Sequence, residues 1–402
     1  MRQRTRLFGP WGWSMLALFG ALFVVVLPTL HVFATPNSAF HVSGYVIVLL
    51  GRIMCYAMVA LALDLIWGYA GILSLGHGVY FALGGYAMGM YLMRSIGADG
   101  VYQSNLPDFM VFLDWKAYPW YWYGTDHFWY AALLVLVLPG VLAFVFGYFA
   151  FRSRIKGVYF SIITQAMTFA FMLLFFRNNT GFGGNNGFTD FKRILGFPIT
   201  APTTKAALFA LSAATLIAAL LACRFVVTSK LGRVLIAIRD AETRVMFSGY
   251  DPLWYKLFTW TFSALICGVA GALYVPQVGI INPGEMSPAN SIEIAIWVAV
   301  GGRGSLVGAL LGAALVTGAK SWFTVAFPSY WLYFLGLLFI LVTLFLPRGV
   351  LGLFTQRWLP ARNGQDHTPS REHGGDERAS SRGGADGSGL AGPLNLPAQT
   401  SA

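Results

Sequence analysis

The chain has 402 residues, of which 57% are hydrophobic, 16% aromatic and 11% charged. Soluble domains run near 45–50% apolar and about 25% charged, so there is too little polar surface for one or two water-soluble domains, and the mean hydropathy of +0.64 agrees. Extensive disorder, collagen and a small disulfide scaffold are excluded. The net charge of +11 does not indicate nucleic acid, because the basic residues sit between apolar runs, as they do where charge orients a membrane protein.

In chain order, Arg2, Arg4 and Arg6 precede an apolar run over 13–33 that is too long for a secretory signal and is expected to be retained. Further runs over 44–66, 71–93, 128–150, 157–176, 206–225 and 258–278 each approach the ~20 residues that a spanning helix needs. Gly301, Gly302, Gly304 and Pro328 divide the last apolar stretch into spans near 287–301, 304–325 and 329–346. The fold class is therefore all-α: a polytopic membrane helical bundle of about ten spans, with both termini cytoplasmic. That count places the clusters Arg2/Arg4/Arg6, Arg152/Arg154/Lys156, Arg224 through Lys256, Arg303 and Arg348/Arg357/Arg362 inside.

The expected domains are a cytoplasmic N-terminus over 1–12, a transmembrane domain over 13–358 and a cytoplasmic tail over 359–402, whose polar composition predicts disorder. Two long loops fall outside, 94–127 and 177–205. The second is the less clean, since it carries Arg177, Lys192, Arg193 and Lys205. Residues 102–130 hold nine Trp and Tyr side chains, read as an interfacial aromatic belt or as a docking surface for an outer partner. Cys55, Cys223 and Cys267 lie within apolar runs and read as buried thiols without metal-ligand spacing.

No nucleotide site is present in the sequence pattern. The nearest approach to a P-loop, GAALVTGAKS at 312–321, has Ala319 between Gly318 and Lys320 and lies within a span. Any ATP that drives the protein is hydrolysed by another chain. Ser74 and His77 could suggest a hydrolase, but a nucleophile also needs an oriented base, a third group and oxyanion donors, which the pattern lacks.

Glycines crowd two membrane-depth stretches, GYAGILSLG (68–76) and GGRGSLVG (301–308), which are faintly alike. They suit either tight helix packing, with Gly304, Gly308 and Gly312 at four-residue spacing, or corresponding broken helices of two repeated halves. Arg52, Asp64, Glu293 and Lys320 are ionisable residues within spans and so are functional candidates by cost alone. Their four separate positions give only weak support to ion coupling.

The segment 229–252 alternates as an amphipathic helix. Leu231, Val234, Leu235, Ile238, Val245 and Met246 share a face, Arg233, Asp240 and Arg244 oppose it, and Gly249 with Pro252 ends it. Glu242 falls within the apolar stripe, which suits docking into a partner's groove as well as rest at an interface.

Six blocks in order carry a family resemblance: GYAGILSLGHGVYFALGGY (68–86), GVYFSIIT (157–164), GRVLIAIRDAETRVMFSGY (232–250), FSALICGVAGALY (262–274), VGGRGSLVGALLGAAL (300–315) and FLPRGVLG (345–352). Over 45–355 the chain resembles the permease subunits of ATP-binding-cassette importers of the branched-chain amino acid type. The resemblance implies a coupling helix within the cytoplasmic segment 226–257, with Gly232, Arg233, Ile238, Arg239, Asp240, Glu242 and Gly249 as its coupling residues. It implies as partners a second homologous permease, two cytoplasmic ATP-binding-cassette subunits, a periplasmic substrate-binding protein and the lipid bilayer. No cofactor is then bound by this chain, and ATP is used by its partners.

Within the family the chain is most similar to urea permeases, through FRNNTGFGGNNGFTDFK (176–192), Gln165 in SIITQAMT, Asp64 in LALDLIWGYAG and the aromatic loop; branched-chain amino acids are the alternative. A stand-alone carrier is the more distant reading. Urea is neutral and rich in donors, so its path needs uncharged polar groups. Ser74, His77, Gln165, Asn185 and Asn186 are the candidates, with Asp64 and Glu293 as ionisable path residues.

Overall fold

The computed structural model describes residues 9–356 except 36–37, 39–40, 156 and 346–348. The expectations for Arg2, Arg4, Arg6, Lys156, Arg348, Arg357, Arg362 and the tail over 359–402 fall outside the described residues. Seven helices are long and apolar enough to cross a membrane. They are α1 (Pro10–Phe33), α2 (Gly44–Tyr69), α4 (Phe128–Arg152), α5 (Val158–Phe176), α6 (Pro202–Thr228), α8 (Pro252–Val278) and α10 (Leu306–Ala326). Helices α3 (His77–Arg94), α9 (Pro288–Gly301) and α11 (Trp331–Phe345) occupy the three other expected positions. The amphipathic α7 (Lys230–Phe247) and the short α12 (Gly349–Gln356) complete the helices used below.

Helix starts follow the chain chemistry. Asp251 caps the Leu253 amide ahead of Pro252, and Ser287 caps the Asn290 amide ahead of Pro288. Ser305 accepts from Gly308 at the start of α10.

The core centres on α3, whose residues from His77 to Met93 are all buried. Its neighbours are α8 and α4, while α2 packs on α6, α8 and α10. Small residues set the spacing. A Cβ at Gly84 would stand 2.5 Å from Gly268 Cα, and one at Gly85 would meet Val275 and Ile281 at 3.1 Å. Lipid gives helices no hydrophobic reason to associate, so such backbone approach is how they gain van der Waals contact. Outward faces of α4 and α5 keep Leu133, Leu136, Phe144, Ile162 and Phe169 exposed, which suits lipid or another apolar partner.

Three expectations change here. The span over 71–93 is not helical throughout: α3 begins at His77, and 71–76 is irregular because Gly71, at φ +74°, turns the chain. The 229–250 helix is not continuous; it kinks at Ala241 (φ −156°, ψ 72°). The aromatic loop is not simply a belt, since Trp122 is fully buried. Phe109, Tyr118 and Phe188 pack on Trp122, whereas Trp120, Tyr123 and Trp129 stay exposed. Arg94 ties this loop down through the Trp122 carbonyl (3.0 Å) and Asp126 (3.2 Å). The basic residues of 177–205 are also partly explained, because Arg193 pairs with Asp99 of the other long loop at 2.7 Å.

Candidate translocation and coupling sites

The irregular segment before α3 lies against α5, within the bundle. Irregular backbone at membrane depth is tolerated only where its polar groups find partners. Three hydroxyls on α5 supply them. Ser161 donates to the Leu73 carbonyl (2.9 Å), Thr164 accepts from the Leu75 amide (3.1 Å), and Thr168 reaches the Leu75 carbonyl (3.4 Å). Ser74 accepts from the Gly76 amide (3.1 Å). These α5 hydroxyls were not singled out from the sequence, although Ser161, Thr164 and Thr168 at spacings of three and four mark one helix face.

Ser74 and His77 come together, but within the core. The His77 ring bridges Ser74 Oγ at Nδ1 (3.1 Å) and Ser263 Oγ at Nε2 (2.6 Å), and both Ser74 and His77 are about 1% exposed. Gln165 lies on α5 with both its amide atoms shielded from solvent and without a hydrogen-bond partner among the described residues. Asn185 and Asn186 are exposed on a short turn that follows α5. Phe188–Thr189, just beyond, pairs antiparallel with Ile280–Ile281 after α8.

The intramembrane charges are not spread over four sites. Lys320 pairs with Glu293 at 2.7 Å, and Arg52 donates at 3.0 Å to Ser321, the next residue of α10. Glu285, unnoticed in the sequence, accepts from Tyr274 (3.2 Å), which in turn receives the Tyr56 hydroxyl (3.3 Å). Glu285, Glu293, Lys320, Asn290, Tyr56 and Trp297 line one cavity of about 20 Å³, room for one or two waters. Sequence separation hid this convergence, since the groups come from α2, α8, α9, α10 and the turn before α9.

Asp64 stands apart, fully buried near the end of α2, where its Oδ1 accepts from the Gly304 amide at 2.7 Å. The two glycine strings thus meet in space: a Cβ on Gly68 would stand 2.6 Å from Gly304 N and Cα. Gly308 and Gly312 face α9, where an added Cβ on Gly312 would come within 2.9 Å of Gly301 Cα.

On α7, Gly232 and Ile238 turn inward, while Arg233 and Asp240 are exposed. A groove of about 680 Å³ runs along its outer side past Lys230, Arg233, Val234, Asp240, Arg244 and Tyr250. Arg239 turns back to the bundle and donates to the Gly68 carbonyl at 2.7 Å. The kink at Ala241 swings Glu242 onto Lys256 of α8 at 2.6 Å, which accounts for an acid in the apolar stripe. Gly249, at φ +84°, makes the turn between α7 and α8. Among the described residues no group of three or more His, Cys, Asp or Glu could hold a metal ion, and all three cysteines are free and buried.

A buried helical bundle with broken helices, an internal polar cluster and one amphipathic helix at its surface defines a multi-pass transport permease. The chain belongs to the family of branched-chain amino acid transport system permease components, whose model matches residues 45–343. It is 24% identical over 365 residues to the high-affinity branched-chain amino acid transport system permease protein LivM of Escherichia coli (strain K12), covering 85% of this chain and 77% of that one. The Salmonella typhimurium LivM is 23% identical over 334 residues, 78% of this chain and 71% of the relative. A probable branched-chain amino acid transport permease protein LivM of Methanocaldococcus jannaschii is 25% identical over 328 residues, 74% and 90% of the two chains. No solved structure matches. The chain is therefore an inner-membrane subunit of an ATP-binding-cassette transporter and not an enzyme.

Proposed function

We propose that this permease serves an importer of urea or a short-chain amide. It would act beside a second, homologous permease, with two ATP-binding-cassette subunits on the face that carries α7 and a periplasmic binding protein on the opposite face. Arg224, Lys230, Arg233, Arg244 and Arg303 gather at the α7 end, which supports a cytoplasmic position for it. ATP is consumed by the partners, and this chain binds no cofactor.

The observation that carries the substrate reading is the character of α5. Its 19 residues contain no charged side chain, it holds the Gln165 amide, which has no hydrogen-bond partner among the described residues, and it leads to Asn185 and Asn186. A neutral, planar solute rich in N–H donors is matched by such amides, which both donate and accept. In this reading Ser74 and His77 shape the path from behind α5, and Glu293 sets the charge of the cavity next to it.

Branched-chain amino acids are the second reading. It is favoured by the names of the relatives and by exposed Arg177 at the end of α5, a cation suited to a carboxylate. Uptake of labelled urea and labelled leucine, by the assembled complex and by this chain alone, separates the cases. ATP-dependent urea uptake by the complex is expected. Leucine uptake without urea uptake overturns the substrate, and urea uptake by the chain alone after ATP depletion overturns the importer.

A further inference from the structure

The contacts of Arg239 and Asp64 lie in series. Gly68 is in the last turn of α2, where carbonyls have no succeeding helical amide, and its carbonyl is taken by Arg239 of α7. The Arg239 stem also lies on the next glycine: a Cβ at Gly71 would stand 2.7 Å from Arg239 Cγ. One turn before Gly68, Asp64 takes the amide of Gly304, and Ser305 beside it caps α10. Gly304 itself has φ +80°, a backbone conformation that disfavours a side chain, and a Cβ on Gly68 would stand 2.6 Å from Gly304 N and Cα, so Gly68 accepts no side chain without parting the two segments. Arg303 lies over the Trp67 ring at 5.5 Å and closes the same junction from the other side. Asp64 Oδ2 is buried without a partner among the described residues, a costly arrangement for a merely structural contact.

We propose that Arg239 and Asp64 form a two-link relay through which movement of α7 reaches both broken helices at once. The first link holds the break between α2 and α3, and the second holds the break between α9 and α10. Asp64 is a positioning residue in this scheme: it is fully buried and acts through the Gly304 amide. The proposal rests on the importer reading above, since it presumes that α7 receives motion from ATP-hydrolysing partners.

The test uses the assembled complex in proteoliposomes and reads labelled urea and leucine taken up per ATP hydrolysed. Asp64→Leu removes the acceptor, Asp64→Asn keeps Oδ1, and Arg239→Gln shortens the first link; co-purification of the ATPase subunits reports assembly. Uptake per ATP should fall at least roughly tenfold in Asp64→Leu and in Arg239→Gln, and Asp64→Asn should recover at least half. Because the links act in series, the Asp64→Leu/Arg239→Gln double variant should be no worse than the poorer single one. Normal uptake per ATP in an assembled Asp64→Leu complex overturns the relay, as do multiplicative losses in the double variant. Should Asp64→Leu fail to assemble, Asp64→Ala, which also removes the acceptor, takes its place beside Arg239→Gln, and multiplicative losses in that double variant overturn the relay equally. Failure of the unmodified complex to couple uptake of either solute to ATP refutes the importer reading instead.

Discussion

Replacing Gly84 by alanine adds one methyl group to a helix that would otherwise welcome it, because alanine is the better helix former by up to about 1 kcal/mol. The surroundings reverse the sign. The new Cβ would stand 2.5 Å from Gly268 Cα and closer still to the Gly268 carbonyl oxygen, where ordinary contact begins at 3.4 Å, so α3 and α8 must separate by more than about 1 Å. The obstacle is backbone, which cannot swing aside as a side chain can. Gly271 seats against Phe81 on the same seam, so that contact is lost as well. Forced separation in a close-packed core costs about 1–3 kcal/mol, and the lost dispersion is not returned by lipid burial. Gly318 on α10 provides the control, for nothing stands within 4 Å of an added Cβ there. Thermal unfolding of the purified permease in one detergent should show Gly84→Ala melting several degrees below the parent and Gly318→Ala at or above it. Equal melting of the two variants would refute the claim that the α3–α8 seam is set by backbone contact.

Thr164→Val should cost about 1–3 kcal/mol by leaving the Leu75 amide buried without its acceptor, whereas Thr164→Ser stays near the parent; the same melting assay reads both. Lys320→Met strands the Glu293 carboxylate, whose side chain is 6% exposed, and should cost about 3 kcal/mol, with Glu293→Gln/Lys320→Met recovering most of the loss in a double-mutant cycle. Glu242→Lys should leave insertion intact and abolish substrate-stimulated ATPase activity of the complex, and Glu242→Lys/Lys256→Glu should restore it. A swapped pair that remains inactive would mean that Glu242 acts on the partner rather than on α8.

Much of the architecture was legible because a membrane imposes a simple code. Apolar length marked the helices, and the amphipathic period marked the surface face of α7. Leu235 and Ile238 could be assigned to its inner side and Arg233 to its outer side from spacing alone. The site was less legible. The pairing of Lys320 with Glu293, and of Glu242 with Lys256, depends on which helices become neighbours. The break before His77 was legible only as one of two readings of the glycines in 68–76, since tight packing explains their spacing as well and the α5 hydroxyls that support an irregular entrance lie far along the chain.

By itself the sequence determined that this is a polytopic helical membrane protein, because hydropathy and charge placement are local properties. The family blocks added a permease role. Tertiary structure alone decided what the glycines do: Gly84 and Gly68 lie in backbone contact while Gly318 faces open space, although all three sit in comparable apolar runs. It also gathered Arg52, Glu285, Glu293 and Lys320 at neighbouring positions. The physical reason is shared. In lipid, apolar area scarcely distinguishes one helix partner from another, so small-residue contact and the demand for polar partners select the neighbours, and both are properties of pairs rather than of positions.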